Sequence, residues 1–293
     1  MGRMFAVAML AVVWLWAVCF GESNPCVGPL WSPSCYDEKH NPYNGLQPTD
    51  LAKDYLESRL RDQKRLNHKE ELSKLLAYDY SSIWLTESKP KSDNRYTTKD
   101  RPQDGVIGLN YQHIEMYIGK VTKSNYNADT YLVTGKSKVN KNICNFSGEI
   151  RLIKLFYKNC NEDFEEYETA ELPKRAKSTK CAVLFAEYVF YEDSAQNHTG
   201  VFKGIMVCDV YTDKTKMLLN EEALGYPHGY LNRTFVGTWT DYKIQKPKHC
   251  IWSDGVPPYS GHMRSGDGDF VFCPEYLKYG WQTCDDGKWW LKK

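Results

Sequence analysis

The sequence predicts a mainly β chain: an antiparallel barrel or sandwich of about seven to nine strands behind an N-terminal helical segment. Three observations carry this. Beyond residue 106 the apolar residues recur with a period of two rather than 3.6. Polar turns rich in Gly, Asn and Asp separate the alternating runs. The chain also holds 21 Tyr, 11 Phe and 9 Trp, residue types that favour strands over helices.

The elements follow in order. Residues 1–21 read as a secretion signal. Arg3 precedes the uncharged run Met4 to Phe20, and small or polar residues follow at Gly21, Glu22 and Ser23. The run is shorter than the roughly 20 residues that span a bilayer comfortably. An uncleaved anchor is one rival. Another is a lipid anchor on Cys19, although Trp16 and Val18 stand where lipoprotein signals usually carry Leu and a small residue. The mature chain has no other apolar run able to span a membrane, so it is expected to be secreted or to reside in the periplasm or cell envelope. Residues 22–47 are rich in Pro, Gly and Asn and sustain neither helix nor sheet interior. Over 48–80, Leu51, Tyr55, Leu56 and Leu60 recur at helical spacing. Asn67, three residues before Glu70, offers a cap for a second helix through Leu72, Leu75 and Leu76. This predicts one long helix or a helical hairpin with a solvated charged face. Residues 87–105 lack apolar side chains and read as a linker. Residues 106–293 form the β domain.

Within that domain His113 to Val121 sets Ile114, Met116 and Ile118 opposite Glu115 and Tyr117. Strands are also expected at Tyr131 to Val139, Glu149 to Tyr157, Cys181 to Tyr191, Val201 to Tyr211, Thr234 to Tyr242, Cys250 to Trp252 and Asp269 to Phe272. The strongest is Cys181 to Tyr191, whose phase of Ala182, Leu184, Ala186, Tyr188 and Phe190 is wholly apolar and must face a core. Its other phase carries a single charge, Glu187, expected on a partly covered outer face.

Charge narrows the function classes. Without Arg3, 37 basic residues face 37 acidic ones, so no net field steers the mature chain to nucleic acid or anionic membrane. Loss of Cys19 with the signal leaves nine cysteines of ten. Neighbours in sequence form candidate pairs: Cys26 with Cys35, Cys160 with Cys181, and Cys273 with Cys284. The others are Cys144, Cys208 and Cys250, no pairing follows from sequence alone, and the odd count leaves one thiol over if eight pair. No C-x-x-C supports zinc. Asp267 and Asp269 are a weak calcium candidate, because Val271 occupies the next alternate position and Asp-Gly is a favoured turn. The acidic run Glu162 to Glu171 reads as a solvated excursion.

No Gly-x-Ser-x-Gly and no phosphate-binding glycine loop is present, and no cofactor is implied. A cysteine nucleophile matched with His113, His249 or His262 would be an arbitrary choice. Sequons stand at Asn145, Asn197 and Asn232. The expectation is a non-catalytic module that binds a small molecule, glycan or surface partner. Its candidate contact residues are Trp239, Tyr242, Trp252 and Trp281, since aromatic faces stack on sugars and apolar ligands. One alternative is a secreted hydrolase of glycan or peptide that would converge Glu187, Asp267, Asp269 and His262 in one cleft. The other is a structural envelope protein.

Gly237-Thr238-Trp239 resembles the Gly-x-Trp signature of lipocalins, in which the Trp plugs the closed end of a ligand-binding barrel. That signature belongs near the first lipocalin strand, whereas here it lies late in the chain. The resemblance implies a lipocalin-like barrel with a hydrophobic ligand if the topology also matches. The stretch from Phe235 to Trp281 is also similar to the tail of uncharacterised secreted bacterial proteins, which implies no function.

Overall fold

Alternation along eight strands closes a barrel wall with one apolar face turned inward. A computed structural model describes residues 42–72, 76, 78–86, 101–158, 181–213, 216–219, 233–254, 257–263, 272–281 and 289–291. Ten strands follow in chain order: β1 (Lys69–Glu70), β2 (Gln103–Ile107), β3 (Gln112–Lys123), β4 (Thr130–Val139), β5 (Asn142–Lys158), β6 (Cys181–Glu192), β7 (Gly200–Asp213), β8 (Lys216–Leu219), β9 (Thr234–Asp241) and β10 (Pro247–Ser253). All their pairings are antiparallel. β2 to β7, β9 and β10 each pair with the next in order, and β10 returns to β2, for example Cys250 opposite Ile107. The result is a closed up-and-down barrel of eight strands. β1 adds to the end of β5, and β8 to the end of β7.

Closure abolishes free edges, and an eight-stranded interior is just wide enough to be filled by side chains or to hold one small ligand. Here side chains fill it. Ala182, Leu184, Ala186, Tyr188 and Phe190 of β6 all face inward and are buried, as their phase predicts. They meet Phe146, Phe202, Met206, Phe235 and Trp252, with Phe235 stacked on Trp252 at 4.9 Å. Gly204 and Gly237 face each other across β7 and β9. A Cβ on Gly204 would meet the Val236 carbonyl at 2.2 Å and the Tyr188 hydroxyl at 2.9 Å, so this pair of glycines makes room for the tyrosine.

Helix α1 (Pro48–Arg65) begins with proline in its first turn and ends with Lys64 and Arg65, a charge order that suits the helix dipole. It lies outside the barrel. Leu51 and Tyr55 pack with Ile205, Val207, Val236 and Ile251, the outward phase of β7, β9 and β10. Burying Leu51 alone contributes roughly 1.5–3 kcal/mol. Asn67 takes a left-handed φ of 54°, and Lys69–Glu70 then pairs with Phe156 and Tyr157. The Asn67–Glu70 capping pattern is therefore not used: Asn67 lies in a turn and Lys69–Glu70 form a strand, with Leu72 helical just beyond and residues 73–75 outside the described residues. A second boundary also moves. Gln103 to Gly105, read from sequence as the tail of the linker, open β2; a polar start and a glycine hid a strand whose pairing with β3 and β10 comes from the rest of the barrel.

Among the described residues no helix is long and apolar enough to cross a membrane. Short helix α2 (Ser81–Trp84) lays Tyr80, Ile83 and Trp84 against the barrel interior, with the Trp84 ring 4.8 Å from that of Tyr131.

Candidate functional site

The two ends of the barrel are built differently. At the end where β6 starts and β9 begins, Arg233 and Asp254 form a fully buried ion pair, with side chains 1% and 0% exposed. Arg233 Nε donates to Asp254 Oδ2 at 2.6 Å, and its Nη1 reaches the carbonyls of Ile83 and Leu85. Gln103 Nε2 donates to both the Arg233 carbonyl and Asp254 Oδ1. Every bond ties β2, β9, β10 and α2 together, which closes this end.

At the opposite end the inward phase of β6 terminates on Glu192, 5% exposed. Ser137 Oγ donates to its Oε1. The Gly200 amide and the Trp239 indole Nε1–H both donate to its Oε2 at 2.9 Å. Tyr242 Oη donates to the Glu192 carbonyl, also at 2.9 Å. Burial raises the Glu192 pKa above the usual carboxylate range, against the lowering effect of the Ser137, Trp239 and Gly200 hydrogen bonds. Cys144 lies buried at the same end, its thiol pushed up to about 11 by burial and by Glu192.

Outside this network a cleft of about 710 Å³ opens, within the range of ligand sites. Tyr117, Phe146, Tyr191 and Tyr242 supply its rings, and Thr134, Asn145, Ser147 and Ser194 supply short neutral polar groups. Lys136, Asp193 and Glu192 supply its charges. Tyr191 is 51% exposed. The Tyr117 ring leans over Gly119, where a Cβ would come within 2.8 Å of it.

The four aromatic candidates from the sequence do not converge. Tyr242 lines the cleft. Trp239, 8% exposed, stands behind it as a buried donor to Glu192. Trp252 is buried among Phe235, Tyr188 and Phe202 in the filled interior. Trp281 lies on the outer wall, tilted against His113 and Phe272, with its indole donating to the Tyr111 carbonyl. Glu187 faces outward, half exposed, in an ion pair with Arg151. His262 packs against Tyr111 and Tyr276. Asp267 and Asp269 lie outside the described residues. Among the described residues no group of three His, Cys, Asp or Glu side chains is placed to hold a metal.

The cysteine expectation needs correction. Not one but three thiols among the described residues, Cys144, Cys208 and Cys250, are buried: the inward phases of β7 and β10 place Cys208 and Cys250 in the interior as small hydrophobes, while Cys144 sits at the Glu192 end with its Sγ 3.6 Å from the Asn197 carbonyl. Burial drives the Cys250 thiol pKa well above its ordinary value. Cys181 and Cys273 are disulfide-bonded. Each candidate pair, Cys26 with Cys35, Cys160 with Cys181 and Cys273 with Cys284, includes a cysteine outside the described residues.

Tyr117, Tyr191 and Glu192 were not singled out by the sequence. For Glu192 the signal was present: it continues the even-numbered inward phase from Ala182 to Phe190, so it must point into the barrel as Glu187 must point out.

No family model, no curated protein and no solved structure matches the chain. Gly237-Thr238-Trp239 lies on β9, the seventh barrel strand rather than the first, and Trp239 donates to Glu192.

Proposed function

We propose that this protein is a non-catalytic, secreted or cell-envelope binding module whose ligand sits in the cleft over Glu192. The observation that carries this is the grouping of Tyr117, Tyr191 and Tyr242 with four neutral polar side chains around one cleft at the Glu192 end. Among the described residues, several acids and histidines are held by other partners. Glu192 is saturated by three donors, Glu187 by Arg151, and His113 Nε2 lies 2.8 Å from Asp104. A thermal-shift screen of small molecules tests the reading. A compound that raises the unfolding temperature of the wild type, but not of Tyr191→Ala, is the expected result; equal shifts in both would place the site elsewhere.

A second reading has its own observation. Trp84 Nε1, Tyr188 Oη and Trp252 Nε1 are buried donors with no hydrogen-bond partner, which favours an acceptor-bearing ligand inside the barrel. The filling of the interior by Phe146, Phe190, Phe202, Phe235 and Trp252 favours the cleft instead.

Secretion also accounts for the cysteines. With three thiols buried, the six remaining in a chain cut after residue 21 are those of the three sequence-local pairs, and an oxidising compartment would close all three. Peptide mapping of the native protein after thiol blocking should find three disulfides and alkylation only after unfolding. Finding Cys144, Cys208 or Cys250 in a disulfide would refute it.

A further inference from the structure

We infer that the cleft takes a neutral oligosaccharide, an assignment that rests on the binding reading above and names its ligand class. The lining excludes the other classes by their chemistry. An anionic ligand or nucleic acid needs a basic wall, yet Lys136 is the one cation among the lining residues, and its Nζ is directed to the Trp290 carbonyl at 3.3 Å. A lipid needs an enclosed apolar pocket, yet Asn145, Ser147, Thr134 and Ser194 are exposed around an open cleft. A peptide that adds as a strand needs an unpaired edge, yet β4 and β5 pair on both sides beside the cleft.

What remains fits a chain of sugars. Pyranose rings present flat C–H faces to aromatic side chains and rings of hydroxyls to short polar groups. Tyr117 and Tyr191 supply two rings on the outer face, one held over Gly119 and one half exposed. Asn145, Ser147 and Thr134 stand on that same face, with Ser147 directly opposite Thr134 in the β4–β5 register. Each of these side chains carries a donor, an acceptor or both. Glu192, behind them, holds Trp239 and Tyr242 in place from within, so the site is preorganised rather than assembled on binding.

The test uses the mature chain made in a bacterial host, so that Asn145, which heads the sequon Asn145-Phe146-Ser147, stays unmodified. It is titrated calorimetrically with cellohexaose, chitohexaose and mannohexaose. At least one is expected to bind. Tyr191→Ala and Tyr117→Ala should each weaken that binding by about five- to tenfold, the size of one lost aromatic contact. Tyr126→Ala, whose ring is 95% exposed in another part of the surface, should leave it unchanged and controls for nonspecific adhesion to tyrosine. Unfolding temperatures of all variants establish that each is folded. Absence of binding by all three sugars overturns the inference, as does binding that neither cleft variant alters. If a non-saccharide from the thermal-shift screen binds and Tyr191→Ala abolishes it, the ligand class falls while the binding reading stands. If nothing binds, both fall.

Discussion

At one end of the barrel Asp254 is answered by a full cation, while at the other Glu192 is held by three neutral donors. Both acids are buried, and both are hydrogen-bonded on both oxygens. The difference lies in what each arrangement demands. A buried ion pair tolerates no change in either partner, because the survivor is left as an uncompensated charge. A carboxylate ringed by neutral donors can take up a proton and remain bonded. The Arg233 end therefore works as a lock, joining α2 to three strands, and the Glu192 end as an adaptable floor under an open cleft.

The largest effect should come from breaking the lock. Asp254→Asn or Arg233→Met is expected to destabilise the fold by about 3–5 kcal/mol in urea titrations. The double apolar replacement Arg233→Met with Asp254→Leu should recover much of that loss. Equal stability of single and double variants would remove the distinction between the two ends.

Glu192 should show the opposite behaviour, and pH exposes it. Its folded pKa is raised above the usual 4.5 by burial, so the folded state holds the proton more tightly than the unfolded chain. Stability linked to this group is present in full below the ordinary value and is lost as pH rises from there through the folded pKa. Glu192→Gln removes that loss. Its amide can donate to Ser137 while its oxygen accepts from Trp239 and Gly200, so it should match or exceed the wild type at neutral pH by on the order of 1 kcal/mol. A variant less stable than wild type at pH 7, with an unchanged pH slope, would show that the charge itself is required.

The smallest effect belongs to the outer wall. Arg151 and Glu187 are 54% and 49% exposed, and replacing either by Ala should change stability by no more than about 1 kcal/mol. A larger loss would make Glu187 the structural acid that its isolation in an apolar strand could imply.

This contrast also measures what a sequence discloses. The barrel was legible because period-two alternation in β3, β6 and β7 requires one buried face, and only a second layer or closure supplies it. Closure itself was not legible, since the pairing of β10 with β2 joins Cys250 to Ile107 across most of the domain. β2 was hidden because Gln103, Asp104 and Gly105 lack apolar character, and their strand exists through its neighbours. Trp239 and Tyr242 stand out as aromatics, but nothing local distinguishes Trp239, which bonds to Glu192 at one end, from Trp252, which fills the middle. Glu187 is conspicuous by its isolation, whereas residue phase assigns the inward position to Glu192.

The most direct measurement follows the indole N–H resonances of the mature chain by two-dimensional NMR as the best-binding oligosaccharide is added. Trp239 bonds to Glu192 beneath the cleft, while Trp252 and Trp84 lie within the barrel. A ligand seated in the cleft is expected to move the Trp239 resonance in step with binding and to leave Trp84 and Trp252 fixed. Movement of Trp84 and Trp252 with Trp239 unchanged would place the ligand inside the barrel and contradict a seat in the cleft.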